Sequence, residues 1–97
     1  MDTKEGYQDR VESELEQANS QIEMWRVKTD KEEIDPETKA DRQERLAALS
    51  RIQTMARSEL EDLIRADKDN WDDLKARMDG LLSELRNALT SSSDRFL

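Results

Sequence analysis

Cysteine and histidine are both absent from this 97-residue chain. Without cysteine no disulfide can form, so nothing points to an oxidising compartment. Without either residue a zinc site is improbable, and hydrolytic triads lose their usual general base. A carboxylate-bridged di-iron site on facing helices normally includes a Glu-x-x-His pair, which cannot occur here. Two glycines, Gly6 and Gly80, are too few for a phosphate-binding loop. No stretch approaches the roughly 18 apolar residues that cross a bilayer, and residues 1–6 carry neither the basic nor the apolar run of a secretory signal. The cytoplasm is therefore the expected location. These absences leave no catalytic, cofactor-binding or metal-ligating residues to name, and the chain reads as a non-enzyme.

Charge is what the sequence has in abundance. Charged residues make up 41% of the chain and hydrophobic ones 34%, with a formal net charge of −8. Leu, Ile, Val and Phe number 18 of 97, a share low enough that composition alone leaves disorder open. A single proline, Pro36, and a periodic apolar pattern argue for helices instead. The acidic balance disfavours nucleic acid, because phosphate neutralisation needs clustered Lys and Arg and here the signs are mixed. Residues 1–45 hold 14 acids and 8 bases, whereas residues 46–97 hold 10 and 8. The first half is thus where a basic protein partner would be drawn, although a solvated surface is the commoner use of such charge.

Three amphipathic segments follow one another. Tyr7, Val11, Leu15, Ala18, Ile22 and Trp25 recur at steps of 3 and 4, one face of a helix, and the stripe fades after Val27. Asp2 and Glu5 stand at capping-box spacing before it, with Thr3 as a rival cap. Asp35-Pro36-Glu37 then reads as N-cap, N1 and acidic first turn of a new helix. No glycine terminates the preceding helix, so a continuous, kinked helix is the rival. The second stripe is Leu46, Leu49, Ile52, Ala56, Leu60 and Leu63, and the turns before it are almost wholly polar. Residues 67–70 interrupt again, with Asp69 and Asp72 at capping spacing. The third stripe, Trp71, Leu74, Met78, Leu81, Leu85 and Ala88, alternates steps of 3 and 4 as a heptad seam, widened by Leu82 and Leu89. Gly80 in its middle is expected to permit a close helix approach. A run of serines at 91–93 is expected to end the helix and leave a frayed tail.

The expected fold is all-α, a single helical domain over residues 1–97, with helices at about 3–33, 36–66 and 69–91 and a tail at 92–97. Equal helix lengths and short turns suggest an antiparallel three-helix bundle about 45 Å long. The alternative is one long helix through residue 66 with the third helix folded back, in a dimer. Residues 28–45 favour the alternative, because a bundle needs that stretch to bury something and it offers little.

Trp25, Trp71, Leu74, Met78, Leu81 and Leu85 are the candidate core or interface residues. Tryptophan anchors many interfaces, but both tryptophans lie on apolar stripes, where burial in a thin core is the better reading. On that reading Trp71→Ala costs about 3–5 kcal/mol. Met24 and Met55 are expected to fill boundary positions. Asp67, Asp69 and Asp72 imitate a calcium loop only briefly, because Asp72 stands where glycine is required and Met78 where a bidentate Glu is required. The third helix is a poor membrane-surface helix, since its polar face carries Asp72, Asp73, Asp79 and Glu84 against three bases.

Tyr7-Gln8 near the start, the Trp71-Asp72-Asp73-Leu74-Lys75 run and Arg95-Phe96 near the end together resemble a family of short bacterial coiled-coil proteins, best known from cyanobacteria and loosely labelled stress-response proteins. The chain departs from that pattern at Pro36, and at Lys68, near which the family has glycine. The resemblance implies no catalytic residues. The expected function is therefore a structural or protein-interaction coiled coil that binds itself or another helical protein, with no nucleic acid, membrane or cofactor involved. The alternative is an acidic regulator or chaperone-like binder that engages a basic protein through residues 1–45.

Overall fold

In the computed structural model, which describes residues 4–96, nearly every residue is helical. Helix α1 spans Lys4–Lys31, α2 spans Pro36–Arg65 and α3 spans Lys68–Ser92, followed by a 3-10 turn at Ser93–Phe96. The expected caps Asp2 and Thr3 lie outside the described residues.

Local chemistry sets each break. The amide of Glu32 donates to Lys28 O at 3.0 Å, and helical structure ends there. Lys28 and Lys31 occupy the last turn of α1, where cations suit the negative end of the helix dipole. Asp35 is extended, at φ −67° and ψ 157°, as the ring of Pro36 demands of the residue before it. Its carboxylate accepts from Thr38 N at 2.6 Å, and that hydrogen bond holds the Asp35 carboxyl below its ordinary pKa. No glycine is needed to end α1, because the chain leaves through extended residues rather than a left-handed one; among the described residues no φ is positive. The continuous helix through residue 66 is therefore not formed.

The second break differs in detail from expectation. Ala66 and Asp67 are extended, and Asp67 is the N-cap, accepting from Asn70 N at 3.1 Å. Asp69, the expected cap, sits in the first turn of α3, where its negative charge still favours the helix start.

Three antiparallel helices pack as a bundle measuring 51 × 18 × 17 Å between Cα atoms. This is close to the length expected of a bundle and far from the roughly 95 Å of a single helix running to residue 66. Helix α2 packs closely along both neighbours, whereas the backbones of α1 and α3 stand farther apart and meet mainly through side chains such as Tyr7 with Trp71 and Glu14 with Arg86. Every residue of the α1 stripe is buried, and all of the α2 stripe but Ile52. Gln53 takes the buried place beside Ile52, and its Nε2 donates to Leu15 O at 3.0 Å on α1. A buried amide is tolerable when it has a partner. On α3 the core falls on Met78, Leu82 and Leu85.

Gly80 does not mediate a close approach. A methyl group placed there meets nothing within 4 Å. Gly80→Ala is thus expected to stabilise the fold by about 0.5–1 kcal/mol, through helix propensity and a less free unfolded chain. A rise in the urea midpoint without a change in slope is the expected reading; a fall would show that the glycine has a packing role.

Candidate functional site

The four aromatic residues form two pairs, one at each end of the bundle. At the end near the α2–α3 turn, Tyr7 and Trp71 meet edge to face with ring centres 5.8 Å apart. Lys75 Nζ lies 5.1 Å from the Tyr7 ring centre and 5.3 Å from that of Trp71, within cation–π range of both. The Tyr7 hydroxyl donates to Asp79 Oδ1 and also reaches Lys75 O at 3.3 Å. Burial, reinforced by the hydrogen bond to the Asp79 carboxylate, pushes the Tyr7 hydroxyl well above the usual tyrosine range. Lys4 Nζ donates to Ala66 O at 2.7 Å and ties α1 to the turn.

At the other end Trp25 and Phe96 stack face to face, 4.6 Å between centres and 4° between planes. Phe96 is only 2% exposed, so the expected frayed tail is corrected. The chain closes over Trp25 because a buried aromatic pair outweighs the ordering of a few terminal residues. The same closure explains how the polar stretch at 28–45 meets a core. Arg42 is buried there; its Nε donates to Arg95 O at 2.7 Å, its Nη1 to Glu32 Oε2 at 2.9 Å, and its guanidinium carbon lies 5.7 Å from the Phe96 ring centre. Thr29 is also buried, with its hydroxyl donating to Trp25 O at 2.8 Å.

The Glu32 carboxyl is held below its ordinary pKa, first by the Arg42 hydrogen bond and then by the positive charge of Lys28. Its folded value lies below its unfolded one. The stability it contributes is therefore present above about pH 4.3, the ordinary glutamate value, and is lost as the pH falls through the folded value. Urea midpoints taken from pH 6 downward should decline through this window, and Glu32→Gln should make the decline shallower. An unchanged slope in that variant would show that the Arg42 pair carries no such linkage.

Between the two ends runs an open groove where α1 and α3 stand apart. It holds about 460 Å³ over a floor of buried Ala18, Trp25 and Leu85 beside half-buried Leu89, with Gln17, Gln21, Thr90 and Ser93 on its neutral polar rim. Glu14 and Arg86 also line it, joined across the two helices by a two-point ion pair whose longer bond, Arg86 Nη2 to Glu14 Oε2, is 2.9 Å. The pairing raises the Arg86 pKa further above its already high ordinary value.

The six candidate residues are divided by this geometry. Met78 and Leu85 are buried in the core; Trp25, also buried, stacks on Phe96 and lines the groove. Trp71, Leu74 and Leu81 are half-buried and pack against the core from its flanks. Trp71→Ala should therefore cost less than a fully buried tryptophan would, about 2–3 kcal/mol by the apolar area it loses, and a urea melt reads this directly. Met24 and Met55 do not fill boundaries: they are 63% and 51% exposed. Sequence reasoning missed Phe96, Arg42 and Gln53. Two of them left a signal: Gln53 is in register with Leu49, Ala56 and Leu60, and Arg42 stands four residues before Leu46 on the same face.

Among the described residues no three acidic side chains gather as metal ligands do, and no helix is long and apolar enough to cross a membrane. In comparisons with known proteins the chain matches no family model, no curated protein and no solved structure.

Proposed function

We propose that the protein is a non-catalytic interaction module, a helical bundle that associates with a second copy or with another helical protein. The observation that carries this reading is the α1/α3 groove, in which half-buried Leu89 lies beside the buried Trp25 and Leu85 and the rim is uncharged except for the paired Glu14 and Arg86. A channel between two helices is the shape that accepts one face of a further helix, and a mostly uncharged rim suits an interface, whose core is depleted in charged residues. The resemblance to coiled-coil stress proteins adds a stress-associated, cytoplasmic role to the same proposal.

Trp25 gives the test its signal. With Trp71 replaced by Phe, Trp25 is the one tryptophan, and its emission should change when the groove is covered. Sedimentation equilibrium from nanomolar to millimolar chain, and titration with uncharged-faced amphipathic helical peptides, should give a mass above 11.3 kDa, a Trp25 response, or both. A chain that stays at that mass and ignores every helix offered would defeat the reading.

A second reading follows from charge. Glu23, Asp30, Glu33, Glu37 and Glu44 are exposed on α1, the first turn and the start of α2, and such a surface would hold a basic protein. Binding of this kind weakens steeply with salt, whereas groove binding does not, so one titration at two salt concentrations separates the two readings.

A further inference from the structure

The two ends of the bundle are built differently. At the end near the α2–α3 turn the core comes from the stripes of the helices themselves: Tyr7, Val11, Leu60, Leu63 and Met78 are all buried. At the other end α1 and α2 bring almost nothing apolar. Of residues 28–45 only Thr29 and Arg42 are buried, and both are polar. The apolar cover there is lent by the tail, through Phe96 stacked on Trp25.

The tail itself is slight. It is the four-residue turn Ser93–Phe96. Besides the stack, it is tied by the hydrogen bond from Arg42 Nε to Arg95 O at 2.7 Å and by an ion pair from Arg95 to Asp41 at 3.9 Å. That ion pair is largely exposed and adds little. The tie runs in both directions. Arg42 meets Glu32 on one side and Arg95 O with the Phe96 ring on the other. Without the tail it keeps only the exposed carboxylate of Glu32. A buried guanidinium with unmatched donors is costly, so Arg42 then turns to water. Helix α2 thereby loses the one side chain that its turns before Leu46 bury. Departure of the tail and loosening of residues 28–45 are therefore a single event.

We propose that the turn at Ser93–Phe96 is a releasable clasp: when it lets go, the α1–α2 end of the bundle opens as one unit and uncovers Trp25, while the Tyr7–Trp71 end stays packed. At that far end of a bundle 51 Å long, Tyr7, Trp71, Lys75 and Asp79 hold one another. Proteins open in such contiguous units, from the parts with fewest buried apolar contacts. Ser93 and Trp25 both line the α1/α3 groove, so the open state bares an indole face at one end of it. The clasp is a property of the free chain and stands apart from the interaction reading above.

Residue-resolved hydrogen exchange of the full chain in low urea tests the proposal. In the natural chain, helical amides of residues 28–32 and 39–45 and those of the tail should share one opening. It should occur at least about tenfold more often than the opening that exposes residues 11–15, 60–63 and 78–85. Phe96→Ala should speed exchange at 28–45 by about tenfold or more and leave the far end nearly unchanged. Arg42→Gln, made from the other side of the tie, should speed exchange in the tail. In a Trp71→Phe background, Phe96→Ala should also raise acrylamide quenching of Trp25. A tail that frays alone while 28–45 keep full protection overturns the proposal, and so does one opening shared by all three helices. Should Phe96→Ala fail to fold, exchange in the natural chain decides between these outcomes.

Discussion

Phe96→Ala is expected to destabilise the bundle by about 3 kcal/mol, the lower end for loss of a buried phenylalanine. The effect should not stop at Phe96. Removing the ring uncovers one face of Trp25, takes away the surface under the Arg42 guanidinium, and loosens the carbonyl of Arg95 to which Arg42 donates. Trp25 emission should therefore shift to longer wavelength in the folded variant. In a double-mutant cycle, Trp25→Ala and Phe96→Ala together should cost less than their separate effects added, by about 1 kcal/mol for the stacked pair. Strict additivity in urea melts would mean that the tail packs near Trp25 without depending on it.

Tyr7→Ala should have an effect of similar size at the opposite end, about 3–4 kcal/mol for a large buried aromatic. Tyr7→Phe separates ring from hydroxyl. It keeps the contact with Trp71 and the cation–π partners but leaves Asp79 without its donor, so about 1–2 kcal/mol is expected. The hydroxyl also predicts an alkaline limit. Its folded pKa is raised above the unfolded value of about 10, so its contribution is fully present below that pH and is lost as pH rises toward the folded value. Stability of the natural chain should fall above pH 10, and Tyr7→Phe should fall less. Equal slopes for the two chains would show that the decline comes from other groups, such as the lysines.

Much of this fold is written in hydrophobic periodicity, and the exceptions have physical causes. The α1 stripe is legible from Tyr7 to Trp25 because each member is apolar and each is buried. Pro36 marks the first break for two reasons at once: it restricts Asp35 and it fits the first helical position. Gln53 stands in register but is passed over because periodicity counts only apolar residues, whereas a glutamine can bury its stem and satisfy its amide on a backbone oxygen. Arg42 is passed over for the same reason, and its burial depends on three partners, Glu32, Arg95 and Phe96, that no local window contains. Phe96 follows a serine run that normally ends structure; its partner Trp25 is brought close only once all three helices have packed. The groove is less legible still. The α3 seam shows that Leu85 and Leu89 belong near a core, but which flank stays open depends on α2 lying closer to both neighbours than they lie to each other.

Hydrogen–deuterium exchange, followed by mass spectrometry at dilute and at high chain concentration and with a helical partner added, tests the central claim most directly. If the α1/α3 groove is where the protein associates, peptides covering residues 14–25 and 85–93 should gain protection when a second copy or a helical partner binds, while those from the outer face of α2 around Met55 do not change. Protection that rises evenly along all three helices, or only around Met55, would contradict it.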